Sequence, residues 1–117
     1  MATVGSGKYT YEVDEDWAKL PAGWEMPAAA VYGDSDDHVY CFNRDPEHPV
    51  CIFDREGNFL SSWGAGLISF AHAIYLDKHN NVWLVDRNKH QVFKFTKDGE
   101  LLKKCLLYTY PRQRDRG

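Results

Sequence analysis

No run of about 18 apolar residues occurs in the chain, and its start, Met1-Ala-Thr-Val-Gly-Ser-Gly-Lys8, lacks an apolar core behind a basic end. That excludes a bilayer-spanning helix, and the expected compartment is the cytoplasm. There is no excess of basic charge: 14 Lys and Arg stand against 17 Asp and Glu, for a formal charge of −3. A nucleic acid or an anionic membrane is therefore not an expected partner, since both need a basic field. Cysteine is sparse and unpaired in pattern. Cys41, Cys51 and Cys105 make no CxxC or knuckle spacing, and without an export signal they read as free thiols. No glycine-rich loop follows a strand to open a helix, and no G-x-S-x-G elbow occurs, so nucleotide binding and serine-type catalysis have no support.

What the chain does have is aromatic residues and a repeat. Four Trp, seven Tyr and six Phe in 117 residues favour strands, and the length fits one domain. With the chain slid along itself by 43 positions, Ala30-Val31-Tyr32 falls on Ala73-Ile74-Tyr75, Asp34 on Asp77, and Val39-Tyr40 on Val82-Trp83. Phe42-Asn43-Arg44 falls on Val85-Asp86-Arg87. After a one-residue gap, Val50, Phe53, Gly57 and Leu60 fall on Val92, Phe95, Gly99 and Leu102.

Each repeat, about 27–63 and 70–104, reads as four short strands. The first are Ala29 to Tyr32 and Ala73 to Leu76, and the second are His38 to Phe42 and Val82 to Val85. The third are Pro49 to Phe53 and Gln91 to Phe95, and the fourth are Asn58 to Ser62 and Glu100 to Lys104. Asp54-Arg-Glu-Gly57 and Thr96-Lys-Asp-Gly99 join the last two, with glycine supplying a positive φ. Four strands per period of about 40 residues is the pattern of a β-propeller blade. The expected fold class is all-β, with a two-blade segment over 9–110. Tyr9 to Val13 and Leu106 to Tyr110 read as further strands, and residues 1–8 and the basic tail 111–117 as flexible ends.

Propellers close with about four to eight blades, so two blades leave two apolar faces open. The chain is expected to associate with itself. Head-to-tail contact among three copies completes a six-bladed ring, and a dimer is the alternative.

The segments Phe42-Asn-Arg-Asp-Pro-Glu-His-Pro-Val-Cys-Ile-Phe-Asp-Arg-Glu-Gly-Asn-Phe-Leu-Ser-Ser-Trp-Gly64, Phe70-Ala-His-Ala-Ile-Tyr-Leu-Asp77 and Val82-Trp-Leu-Val-Asp-Arg-Asn-Lys-His-Gln-Val-Phe-Lys-Phe95 resemble NHL-repeat six-bladed propellers. Within these, the chain is similar to the peptidyl-alpha-hydroxyglycine alpha-amidating lyase branch, from about Tyr9 to Leu102, the first third of such a propeller. The resemblance implies cleavage of a carbinolamide at a peptide C-terminus, with release of glyoxylate. It implies a zinc held by three histidines, of which His72 matches the first, and a substrate-contacting arginine matched by Arg44. Three chains would bring three His72 imidazoles to one axis, the ligand set usual for catalytic zinc. The resemblance also implies a calcium near backbone oxygens matched by Val31 and Ile74. The family's carboxylate ligand is replaced here by Ala73, and neutral carbonyls alone hold such a cation weakly. The family's catalytic tyrosine has no counterpart around Arg87-Asn88-Lys89.

Each of these residues also has a plainer reading. His72 can line a channel, and the pairs Arg44 with His48 and Arg87 with His90 can hold blade loops through hydrogen bonds. Asp34, Asp36 and Asp37 read as a solvated turn, because Asp77-Lys-His-Asn-Asn81 keeps the turn formers without the acids. The functional expectation is a propeller scaffold with a polar axial channel that binds a metal or a small-molecule or peptide ligand. A lyase-like zinc enzyme and an inactive fragment of a longer propeller are the alternatives.

Overall fold

The computed structural model describes residues 2–106. The chain opens with a hairpin, β1 (Thr3–Ser6) and β2 (Tyr9–Glu12), followed by an irregular segment to residue 27. Two four-stranded antiparallel meanders come next. The first is β3 (Ala28–Gly33), β4 (Val39–Asn43), β5 (Val50–Phe53) and β6 (Phe59–Trp63), and the second is β7 (Ala71–Leu76), β8 (Val82–Asp86), β9 (Gln91–Phe95) and β10 (Leu101–Leu106).

The repeat in the sequence is a repeat in backbone detail. Both first strands carry a bulge at the same place, Ala29 in β3 and His72 in β7, and both fourth strands carry one at Leu60 and Leu102. Asp34 and Asp77 build the same turn. Each carboxylate accepts two backbone N–H groups, from Asp36 and His38 in one blade and from His79 and Asn81 in the other. Asp37 and Asn80 follow with φ of 63° and 60°. The acids at 34–37 thus act as turn formers, as the plainer reading has it.

Strand alternation sends two sets of side chains to opposite faces. Tyr40, Phe42, Val50 and Ile52 of the first blade pack with Ile74, Leu76, Val82, Leu84, Phe93 and Phe95 of the second in one buried core. On the first blade's other face, Cys41, Cys51 and Phe53 are covered by Trp17, Leu20, Trp24 and Met26 of the lead-in segment. The three cysteines are free thiols. Burial pushes the Cys41 thiol up to about 11, with Cys51 opposite it adding to the effect, and burial raises Cys51 as well.

Within the stretch expected to be a flexible end, Gly5 and Gly7 take φ of 94° and 60° and let β1 pair with β2 from Thr3↔Glu12 to Ser6↔Tyr9. The strand expected from Tyr9 is therefore real but belongs to this exposed hairpin. His72 stands at the start of its strand, because β7 begins at Ala71, two residues earlier than the expected Ala73. Leu106 closes β10, and the rest of the expected strand 106–110 and the tail 111–117 lie outside the described residues. Among the described residues, no helix is long and apolar enough to cross a membrane.

Candidate functional site

The candidate site is where β7 begins. The chain reaches β7 through Ser69 and Phe70, whose backbone N–H groups donate to the Asp86 carboxylate at 2.6 and 3.1 Å. Asp86 is fully buried and also accepts from the N–H groups of Asn88 and Lys89. Four charge-assisted bonds compensate the burial of that charge and fix the loop on either side of β7 and β8. Sequence reading places Asp86 only as the repeat partner of Asn43. The buried charge becomes visible once the surrounding N–H groups are located.

Arg44 comes from the end of the first blade's second strand. Its backbone N–H donates to Pro27 O, as that of Arg87 does to Phe70 O, so the two arginines are equivalent in space as well as in sequence. Arg44 Nε donates to Ala71 O at 3.3 Å, and its guanidinium lies 4.1 Å above the Phe70 ring. Arg87 approaches the same ring at 5.6 Å. Arg44 therefore ties the first blade to the residue just before His72. His48 Nδ1 donates to Asp45 Oδ2 across 3.0 Å, which holds the Asp45 carboxyl below the usual carboxylate range, and the imidazole stacks on Trp24 at 3.5 Å. This is the loop-holding role of the plainer reading.

His72 is exposed, at the bulge on β7. The extra residue of a bulge turns its side chain out of the strict alternation. In the first blade the same place is taken by Ala29, so one chain presents one such imidazole. Among the described residues no group of three His, Cys, Asp or Glu side chains stands close enough to hold a metal. Val31 and Ile74 occupy one repeat position in different surroundings: Val31 is 61% exposed and Ile74 8%. Ile74 belongs to the buried core shared with the first blade, whereas the Val31 side chain stays largely in solvent.

Two tryptophans that the sequence reading did not single out hold the blade edges. Trp63 Nε1 donates to Lys97 O at 3.1 Å and its ring packs on Phe95 at 4.9 Å. Trp17 does the same to the first blade, donating to Arg55 O at 3.2 Å with its ring 5.7 Å from Phe53. Each lies against a turn glycine at positive φ, Gly99 or Gly57, where a Cβ would collide with it. The lead-in segment thus does for the first blade what the end of β6 does for the second. A signal was present: Ala22-Gly23 falls on Ala65-Gly66 in the same 43-residue register.

No family model matches the chain. Over 50 residues, 42% of its length, it is 34% identical to peptidyl-alpha-hydroxyglycine alpha-amidating lyase 2 of Drosophila melanogaster, a stretch amounting to 12% of that protein. Among solved structures it is similar to virginiamycin B lyase from Staphylococcus aureus, with TM-score 0.55 and 12% identity over 76% of this chain and 29% of that one. A streptogramin B lyase matches with TM-score 0.52 and 15% identity over 79% and 30%. The chain spans less than a third of each protein, and at these identities the two structures bear on fold alone. Together with the two four-stranded antiparallel sheets of the chain, these likenesses show an all-β fold of the β-propeller kind, with a local sequence similarity to an amidating lyase.

Proposed function

We propose that the chain is a propeller-forming unit that joins copies of itself head to tail, three giving six blades, around a channel that binds a metal or a small ligand. The observation that carries this reading is the contrast between Ile74 and Val31. The same repeat position is buried where a blade precedes it and 61% exposed where none does. Tyr75 of the second blade, whose ring meets Tyr32 of the first edge-on at 5.3 Å, keeps 53% of its surface exposed for a following blade. In a ring these two faces meet and remove apolar surface from water.

In that assembly His72 is the residue suited to hold a metal, and three copies would supply three imidazoles. Zinc bound in this way supplies a polarised water near neutral pH. Arg44, fixed through Nε, keeps the rest of its planar guanidinium for an anionic group of a ligand. A calcium at the Val31 and Ile74 carbonyls is the weaker cation site. The local identity to an amidating lyase favours a second reading, an enzyme acting on peptidyl-alpha-hydroxyglycine with zinc as its metal.

Native mass spectrometry of protein purified without chelator tests the assembly and the metal together. Three chains with one zinc are the expected result, and a single chain overturns the ring. His72→Ala should lose the metal and keep the chain number. If zinc-loaded protein releases no glyoxylate from an alpha-hydroxyglycine peptide between about pH 5 and 9, the lyase reading fails and the scaffold reading stands.

A further inference from the structure

The contact between the two blades is a template for the contact between two copies, because the blades share one register. On the first blade's side it uses Ser35, Ile52 and Ser61, and on the second blade's side the turns around Asn80 and Asp98. Asn80 Nδ2 donates to Ser35 Oγ at 2.8 Å, and Ile52 and Ser61 line a cleft of about 200 Å³ with Lys97 and Asp98. The strand register converts each of these into its repeat partner. Ser35, Ile52 and Ser61 become Lys78, Lys94 and Lys103 on the open face of the second blade. Asn80, Lys97 and Asp98 become Asp37, Arg55 and Glu56 on the open face of the first. Three uncharged positions inside the chain are thus lysines where the next copy would dock, and the facing turn changes from Asn80 to Asp37.

The outer part of the docking face is already furnished. Trp63 at the end of β6 covers the second blade's turn, and the pairing of Val50 with Trp63 and of Val92 with Cys105 puts Cys105 at the corresponding place in β10. The second blade therefore brings no tryptophan to a following blade. The Phe53 and Gly57 seat on the first blade already holds Trp17 of its own chain. What is left exposed is the inner part, Val31 with Asp37 on one side and Lys78 with the partly exposed Trp83 and Tyr75 on the other, Tyr75 also meeting Tyr32 of its own chain. Lys94 Nζ stands 5.1 Å from the Trp83 ring centroid, at the border of that apolar patch.

We infer that a second copy of this chain docks with its Asp37 turn against Lys78, and with its Glu56 beside Lys94 and Lys103, so that opposite charge sets a head-to-tail register and rejects head-to-head pairing. Asp37 already lies 3.8 Å from Arg55 in its own blade, an exposed pair that leaves the Asp37 carboxylate free to accept a second cation, Lys78. The inference rests on the self-assembly proposed above.

Zero-length carbodiimide coupling of the wild-type protein, followed by denaturing electrophoresis and peptide mapping of the cross-linked bands, reads the junction directly. The expected product is a covalent multimer with Lys78 joined to Asp37. Asp37→Lys should weaken association by about 5-fold or more per junction, and adding Lys78→Asp should restore it. A wild-type protein that native mass spectrometry finds as one chain overturns both the assembly and the junction. A protein that assembles yet cross-links through other pairs, with no recovery in the double variant, overturns the junction and leaves the assembly.

Discussion

The two blades carry the same strands, bulges and turns, yet are held differently. The second blade leans on a complete neighbour, and its core-facing positions are Leu84 and Phe93. The first leans on a lead-in segment of irregular chain, and the corresponding positions are Cys41 and Cys51. Its loop is tied by the neutral Asn43 rather than by the buried carboxylate of Asp86. The comparison teaches that a blade's inner face is specified by what lies against it. Large apolar side chains stand where a sheet packs, and small thiols where aromatic side chains reach in from a loop.

The comparison breaks most severely at Asp86. Asp86→Ala removes the buried carboxylate that four loop N–H groups share and should cost about 3 kcal/mol, whereas Asn43→Ala should cost about 1, as read by urea unfolding. Equal losses would remove the distinction drawn between the two loops. Next in size, Leu84→Ala should cost about 2 to 5 kcal/mol, and Cys41→Ala, which empties much less volume, distinctly less. The tryptophans sharpen the likeness between the blades. Trp17→Phe and Trp63→Phe each delete one indole hydrogen bond to a turn carbonyl and should each cost about 1 kcal/mol; a negligible effect of Trp17→Phe would show that the lead-in segment does not act as a blade edge.

The smallest effect is in pH. A hydrogen bond from Trp83 Nε1 to Asp77 holds that carboxyl below its usual range. Asp77 therefore contributes stability above the ordinary carboxylate pKa of about 4, and that contribution is lost as pH falls through the lower folded value. Trp83→Phe should flatten the fall in Tm between about pH 5 and 2. Because Tyr40 and not Trp83 stands at the matching place in the first blade, Tyr40→Phe should leave that part of the curve unchanged. The thiols separate in the same graded way: burial keeps Cys41 and Cys51 protonated near pH 8, so iodoacetamide should label the partly exposed Cys105 well ahead of them.

Much of this architecture was legible from local chemistry. Alternation of apolar residues fixed the strands to within two residues at most ends, and Asp34, Asp77, Gly57 and Gly99 marked turns whose geometry few other residues adopt. The likeness to NHL-type lyases was carried by runs such as Phe70-Ala-His-Ala-Ile74, and a local identity to an amidating lyase stands beside it. The N-terminal hairpin escaped because short, polar residues give no core signal, although Ser6-Gly7-Lys8 is an adequate turn. Of the candidate site, His72 and Arg44 could be named from the sequence, but not that Arg44 donates to the carbonyl just before His72.

The sequence by itself determined a two-fold repeat, eight blade strands and their turns, because period-two alternation and the φ demands of turns act over a few residues. Only the tertiary structure decided that Trp17 covers the first blade's turn, that Asp86 is a buried charge held by four N–H groups, and that Val31 and Ile74, alike in the repeat, differ in exposure from 61% to 8%. The physical reason is distance along the chain. These contacts join groups as many as 38 residues apart, as Trp17 is from Arg55, and burial depends on which sheet arrives from outside the segment.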